Sequence, residues 1–240
     1  MPYDERYESD LLRWKGEVRP WDILEIIREY SKKSDILLDI GCGTAFKLIK
    51  LVNDVGQIYG IEPNEKMQGK ANENILKNNI SNIKIIDGNA QKIPFADNCF
   101  DIVTSIVAPH DINEMYRVLK PSGYLIIETS GDRDKWNIKQ EFGLDKNGPR
   151  GQLCELLEGE KARNYERDLK KIFQSVSVRN GFWKSYYSIE GLILLFELTP
   201  AVRGFNRNTD SETLKRIEDL YSTQNGIETT LNRILIIAQK

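Results

Sequence analysis

Two carboxylates flanking a glycine turn are the residues of this sequence whose types and spacing could do chemistry. The run Ile36-Leu37-Leu38-Asp39-Ile40-Gly41-Cys42-Gly43-Thr44-Ala45 is apolar, then acidic, then carries two glycines one residue apart. That order predicts a buried parallel strand, a sharp turn and a helix opening. The glycines let a ligand approach the backbone with no Cβ in the way. Glu62 closes the next apolar run, Gln57 to Ile61. It stands about twenty residues past the turn, where a carboxylate can accept hydrogen bonds from both hydroxyls of a ribose. The chemistry is recognition of a nucleoside at the open edge of a sheet. A tight turn without ligand and a solvated loop carboxylate are the plain alternatives. His110 is the single histidine and could act as a general base near neutral pH. With no partner visible in the sequence, a capping or surface role for it is favoured.

The segment from Asp39 to Ala45 resembles motif I of the class I S-adenosylmethionine-dependent methyltransferases, whose pattern is acid-x-Gly-x-Gly-x-Gly. Ala45 stands for the third glycine. Three later segments match the family in order. Asp87-Gly88-Asn89-Ala90-Gln91-Lys92-Ile93-Pro94-Phe95 resembles Gly-Asp-Ala-x-x-Leu-Pro-Phe. Cys99-Phe100-Asp101-Ile102-Val103 resembles Phe-Asp-x-Val. Arg117-Val118-Leu119-Lys120-Pro121-Ser122-Gly123 resembles Arg-Val-Leu-Lys-Pro-Gly-Gly, a structural turn in which Gly123 is expected to supply a positive φ. The resemblance implies S-adenosyl-L-methionine as cofactor. It places Asp39, Gly41, Cys42 and Gly43 at the turn, Glu62 and Pro63 at the ribose, Asn89 and Ala90 at the adenine, and Ser105 at the end of the fourth strand. Asn89 replaces an aspartate that accepts a bond from the adenine amino group. An amide keeps an acceptor oxygen and adds a donor.

A nicotinamide dinucleotide site is the rival. Its fingerprint needs glycine at the first, third and sixth positions, and from Gly41 the sixth is Phe46. A large aromatic there is expected to block close helix–strand packing. Asp39 also suits a sulfonium better than a pyrophosphate, which wants a helix N-terminus and no carboxylate nearby. A module that binds the cofactor without transferring its methyl group is a further alternative.

The acceptor is read as a small molecule or RNA. The segment Ile106-Val107-Ala108-Pro109-His110-Asp111 is not Asn-Pro-Pro-Tyr, which disfavours an exocyclic base amine. With Glu128-Thr129-Ser130-Gly131 and Leu198-Thr199-Pro200, it is similar to the 23S ribosomal RNA guanine-N1 methyltransferases. Those enzymes begin with a four-cysteine zinc ribbon, and this chain has no such module. His110 is the candidate catalytic residue. Asp111 reads as an N-cap. The basic run Lys161, Arg163, Arg167, Lys170 and Lys171 is interleaved with acids and reads as a solvated helix. Trp183, Tyr186, Tyr187, Phe196 and Phe205 could line an acceptor pocket, but core is the better expectation for each.

The formal net charge of -2 creates no global field for polyanions. Cys42, Cys99 and Cys154 form no C-x-x-C pair, so no metal site or disulfide framework is expected and a cytoplasmic location is. The N-terminus is acidic and unlike a signal peptide, no run is long enough to span a bilayer, and nothing sets the oligomeric state. Strands are expected at Ile36–Ile40, Gln57–Ile61, Ile83–Ile86, Phe100–Ile106, Tyr124–Glu128, Val176–Tyr187 (with a bulge at Gly181) and Leu231–Ala238. Helices are expected at Trp21–Tyr30, Ala45–Asn53, Asn64–Asn78, Asp111–Leu119, Glu160–Phe173 and Ser211–Tyr221. This alternation means an α/β, Rossmann-like doubly wound sheet, mostly parallel. The resemblance makes it seven strands with an antiparallel last one. The expected organisation is a helical cover over 1–34, the cofactor domain over 35–187 and 231–240, and a helical cap insertion over 188–230. The plain alternative is that the insertion only seals the sheet edge.

Overall fold

The computed structural model describes residues 10–12 and 15–240. The first part of the expected N-terminal cover, 1–9, lies outside them. The chain runs β1 (Lys15–Gly16), α1 (Ile23–Glu29), β2 (Ile36–Ile40), β3 (Gln57–Ile61), α2 (Glu65–Lys77), β4 (Ile83–Ile86), β5 (Phe100–Ile106), α3 (Ile112–Val118) and β6 (Leu119–Ser130). It continues through α4 (Trp136–Lys139), β7 (Leu144–Asp145), β8 (Gly148–Pro149), α5 (Glu160–Leu169), β9 (Ser175–Tyr187), α6 (Ile189–Leu198), α7 (Ser211–Tyr221), β10 (Ser222–Thr223) and β11 (Gly226–Gln239).

The main sheet has the order β1-β9-β11-β6-β5-β2-β3-β4. Strands β2 to β6 pair in parallel, and β11 is antiparallel to both β6 and β9. This is the mostly parallel, Rossmann-like sheet expected from the sequence, with seven long strands and an antiparallel last one. The short strands β1 and β10 bring the sheet to nine, because the N-terminal segment adds a two-residue edge to β9. Apolar layers cover both faces. One packs α1 with Leu48, Leu51, Leu235 and Ile237. The other packs α3 and α5 with Phe100, Ile127 and Ile234.

The caps follow local chemistry. Asp22, Asn64 and Asp111 each accept a backbone N–H of the helix they open, which satisfies donors that the helix itself leaves unpaired. Several expected boundaries are corrected. The helix expected over Ala45–Asn53 is a turn and a short 3₁₀ segment, Leu48–Leu51. Ala45 holds φ at 61°, and a left-handed residue cannot sit inside an α-helix. The bulge expected at Gly181 is absent, since β9 and β11 stay in register from Tyr187 to Ser175. Gly181 serves packing instead: a Cβ there would come 2.5 Å from the Trp21 ring. The positive φ expected at Gly123 belongs to Ser122, at 65°. Ala45 and Ser122 thus both occupy left-handed positions where the resembled family has glycine, a strain of about 1–2 kcal/mol each. The last strand begins at Gly226, five residues before the expected Leu231, and α5 ends at Leu169, short of Phe173.

The segment after β6, given no element from the sequence, forms α4 and the hairpin β7–β8. It packs with α6 and α7 in a third apolar cluster holding Ile138, Phe142, Leu192, Phe196 and Ile217. Arg150 forms a bidentate pair with Asp210 at 2.7 and 3.0 Å. The helical layer at this end is therefore built from two chain segments. Tyr187, Phe196 and Phe205 belong to its core.

Candidate functional site

Parallel strands β2, β3 and β5 bring their carboxyl ends together, and the candidate residues sit there because each closes a strand. The glycine turn folds back on β3: Gly41 and Cys42 both donate to the Ile61 carbonyl, at 2.8 and 3.1 Å. Gly41 and Gly43 hold φ at 75° and 57°. Their needs differ. A Cβ on Gly41 would lie 2.4 Å from the Ala108 Cβ, whereas one on Gly43 would meet nothing within 4 Å. Gly41 thus seats the loop after β5, and Gly43 faces open space. The Cys42 thiol packs where Gly60 lacks a Cβ. Burial, with Asp39 and Glu62 nearby, pushes its pKa up, so it stays a protonated packing group.

Glu62 is 6% exposed and clasps the turn. Its Oε2 accepts from Gly43 N and its Oε1 from Asn64 N, both at 3.0 Å. Each oxygen keeps a lone pair for a further donor. Gln68 extends the clasp, donating to the Glu62 carbonyl at 2.6 Å and to Asp87 at 3.2 Å. That tether brings the Asp87–Phe95 segment beside the ribose position. Within it, the Asn89 oxygen accepts from Gln91 N and Lys92 N at 3.0 and 3.1 Å. Its acceptor capacity is filled by this turn, so the Nδ2 donor is the end left for a ligand. Ala90 is buried in the core, and Pro63 is exposed.

Asp39 is buried and its Oδ1 accepts from Thr104 Oγ1 at 2.6 Å, because the two residues pair in register across β2 and β5. Burial raises its pKa to about 6, with Thr104 and Lys47 opposing. Lys47 was missed by sequence reading. Burial lowers its pKa against the pull of Asp39 and Glu128, and Arg19 and Arg233 lower it further. Its ammonium caps the exposed Phe46 ring at 5.1 Å. Phe46 therefore points outward and obstructs no helix–strand packing.

The loop after β5 is held under strain. Val107 has φ 55°, costly for a β-branched residue, and donates to the Glu128 carbonyl at 2.7 Å. Ser105 is buried and spends its hydroxyl on the Ala108 carbonyl at 3.3 Å, so it shapes the loop. His110 has both ring nitrogens engaged, Nδ1 with the Ala108 carbonyl at 3.0 Å and Nε2 with the Tyr165 hydroxyl at 2.9 Å. A carbonyl only accepts, which assigns the proton to Nδ1 and makes Nε2 the acceptor from Tyr165. Burial lowers the His110 pKa. The histidine is thus a neutral bridge to α5, and Tyr165 is the partner that the sequence could not show. Lys161, expected in a solvated run, is instead half-buried and donates to Thr129 Oγ1 and the Ser130 carbonyl.

A strap over residues 17–22 crosses this edge. Its Trp21 Nε1 donates to Glu128 Oε2 at 2.8 Å. Among the described residues, no group of three or more His, Cys, Asp and Glu side chains is placed to hold a metal ion, and no helix is long and apolar enough to cross a membrane.

Known proteins share part of this sequence and its fold. A demethylmenaquinone methyltransferase of Geobacillus sp. (strain WCH70) is 36% identical over 110 residues, covering 41% of this chain and 47% of the relative. The chain thus spans about half the length of that relative. The YcgJ protein from Bacillus subtilis superimposes with a TM-score of 0.65 at 18% identity, over 91% of this chain and 97% of the other. A Haemonchus contortus phosphoethanolamine N-methyltransferase in complex with S-adenosyl-L-methionine aligns with a TM-score of 0.56 at 19% identity, over 91% of this chain and 52% of the other. Both show the shared fold. The family described as Methyltransferase domain matches residues 31–177, which contain the glycine turn, Glu62, Asn89 and the loop after β5, and the chain belongs to that family.

Proposed function

We propose that the protein is an S-adenosylmethionine-dependent methyltransferase acting on a small-molecule acceptor. The observation that carries this reading is the clasp of the Glu62 carboxylate on the Gly43 and Asn64 amides beside a glycine whose missing Cβ faces open space. The residues fit the cofactor. Glu62 would hold the ribose, the Asn89 Nδ2 donor a purine ring nitrogen, Asp39 the sulfonium charge and Lys47 the amino-acid carboxylate. When bound, the cofactor supplies an activated methyl group that leaves by in-line displacement. The chain's own work is then alignment and exclusion of water. His110 is spent on Ala108 and Tyr165 and stands as a positioning residue for the strained loop. The small-molecule acceptor is supported by the curated relatives, whose names specify demethylmenaquinone. The layer of α4, α6 and α7 would cap the acceptor's side of the edge.

The test is transfer of labelled methyl from S-adenosylmethionine to a metabolite extract and, in parallel, to total RNA. Label in a small molecule supports the reading. Tight S-adenosylhomocysteine binding with no transfer to any acceptor would replace it with a cofactor-binding module. Lys47→Met should weaken S-adenosylhomocysteine by roughly tenfold, the loss of one hydrogen bond to a charged group, while leaving adenosine affinity unchanged in calorimetry. Equal weakening of both ligands would remove Lys47 from the carboxylate.

Asp39 adds a pH signature. Its folded-state pKa of about 6 is raised above the ordinary carboxylate value. Its contribution to folding stability is therefore largest below that ordinary value and falls as pH rises toward 6. A sulfonium favours the ionised form, so S-adenosylmethionine affinity should climb as pH rises through 6 and then level off. At pH 5, affinity should be about tenfold weaker than at pH 7. S-adenosylhomocysteine, whose sulfur is neutral, should show a nearly flat profile over the same range, and parallel profiles for the two ligands would take Asp39 away from the sulfur.

A further inference from the structure

The strap, β9 and β11 enclose a second group of polar atoms beside the cofactor crevice. At its centre is Arg233. On β11 it pairs in register with Ser130 of β6 and Gly181 of β9. The Trp21 ring and Pro20 lie over Gly181, within 2.6 Å of where its Cβ would be, so the strap packs alongside the guanidinium's strand position. Trp21 is anchored from the other side by Glu128, which pairs with Leu235, two residues along β11 from Arg233. Trp183 follows Gly181 on the same face of β9, and the Arg19 guanidinium stacks 5.7 Å from its ring centroid. A cavity of about 520 Å³ opens at the strap, lined by Val18, Arg19, Trp21 and Asp22.

Arg233 uses one of its three nitrogens. Nη1 donates to Asp134 Oδ1 at 2.6 Å and to the Asn232 carbonyl at 3.1 Å. Nε and Nη2 have no partner among the described residues, and neither is sealed in the interior. The side chain as a whole is 16% exposed. Both donors are therefore open to an acceptor atom that enters from outside the fold.

The shared carboxylate points the same way. Asp134 is shared by two cations, Arg233 and Lys135, the latter at 3.0 Å. Burial alone would raise the Asp134 pKa, but the pair hold it down at about 2, so this carboxylate is ionised and fully spent. Lys135 and Arg233 thus share one carboxylate, and the guanidinium keeps two nitrogens that Asp134 does not reach. A planar fork with two free donors matches the two oxygens of a carboxylate, or one anionic oxygen, better than any neutral group. The Trp21 ring over Gly181, the register neighbour of Arg233, supplies a flat apolar wall.

We propose that Arg233 is the acceptor-recognition residue of this protein, and that the methyl acceptor is a flat molecule carrying an anionic oxygen, gripped by Nε and Nη2 beside Trp21. This rests on the methyltransferase reading above. The strand position, the shared carboxylate and the strap specify it independently of the cofactor residues.

The experiment is calorimetric titration of the S-adenosylhomocysteine-saturated protein with 1-naphthoate and its neutral isostere 1-naphthamide. The acid should bind at least tenfold more tightly than the amide. In Arg233→Lys, which keeps the charge and the pairing with Asp134 but loses the fork, that preference should shrink to twofold or less, with S-adenosylhomocysteine affinity unchanged. Trp21→Leu should weaken acid and amide alike, a readout independent of whether the arginine variant folds well. Equal binding of acid and amide by the native protein overturns the proposal and leaves the cofactor reading intact. Loss of S-adenosylhomocysteine affinity in Arg233→Lys overturns it by moving the arginine to the cofactor. Failure of S-adenosylhomocysteine to bind the native protein sinks both.

Discussion

Replacing Glu62 with alanine should cost the protein its cofactor. Two backbone donors, Gly43 N and Asn64 N, terminate on this one carboxylate, and the group is buried. Removing it deletes two charge-assisted bonds and leaves two amides unpaired beside the ribose position. A bond to a charged group contributes roughly 1.5–3 kcal/mol. In Glu62→Ala the ribose hydroxyls have no carboxylate to donate to, which should by itself weaken S-adenosylhomocysteine by that amount, a factor of roughly ten to a hundred and fifty. Loosening of the turn adds to this. Glu62→Gln is the sharper probe. Its amide nitrogen must face one of the two N–H donors, so the turn is strained even though volume is kept. Calorimetry with S-adenosylhomocysteine and thermal unfolding of the ligand-free protein separate the two contributions. Affinity within twofold of the native protein in both variants would take Glu62 out of the site.

The second large effect concerns Gly41. Alanine there carries two separable penalties. The backbone sits at φ 75°, which costs an L-residue about 1–2 kcal/mol. The new methyl would also lie 2.4 Å from the Ala108 Cβ, an overpacking cost of about 1–3 kcal/mol. Gly41→Ala should therefore destabilise the fold by roughly 2–5 kcal/mol in denaturant unfolding. The double variant Gly41→Ala, Ala108→Gly should recover the steric part and leave the backbone part. The coupling between the two sites should be about 1–3 kcal/mol. Additive effects would mean that the loop after β5 moves away freely, and that the turn does not seat it. The strain at Val107 and the bonds from Ser105 and His110 to the Ala108 carbonyl argue that it cannot.

These two residues also mark what could be read without a structure. The strand β2, the glycine turn and Glu62 fall within a few dozen residues of each other. Their order encodes a parallel unit because buried strands, tight turns and capped helices each have a local signature. The caps at Asn64 and Asp111 were legible for the same reason. The helix after the turn was not, since the apolar spacing Leu48, Ile49, Leu51, Val52 is compatible with both a helix and a 3₁₀ turn. The left-handed Ala45 decides between them. Gly123 was misread because a glycine can be required either for its φ or for its missing Cβ. Here it is the second: a Cβ would lie 2.8 Å from the Asp101 carbonyl.

By itself the sequence determined the alternation of strands and helices, the glycine turn and the residues that close β2 and β3, all products of short-range patterns. Tertiary structure alone decided what stands opposite them. Trp21 meets Glu128 across 107 positions, Arg233 meets Asp134 across 99, and His110 meets Tyr165 across 55. The first two pairings form because the sheet places β6 and β11 side by side and the strap lies over them, the third because α5 meets the loop after β5, and no local periodicity carries that information.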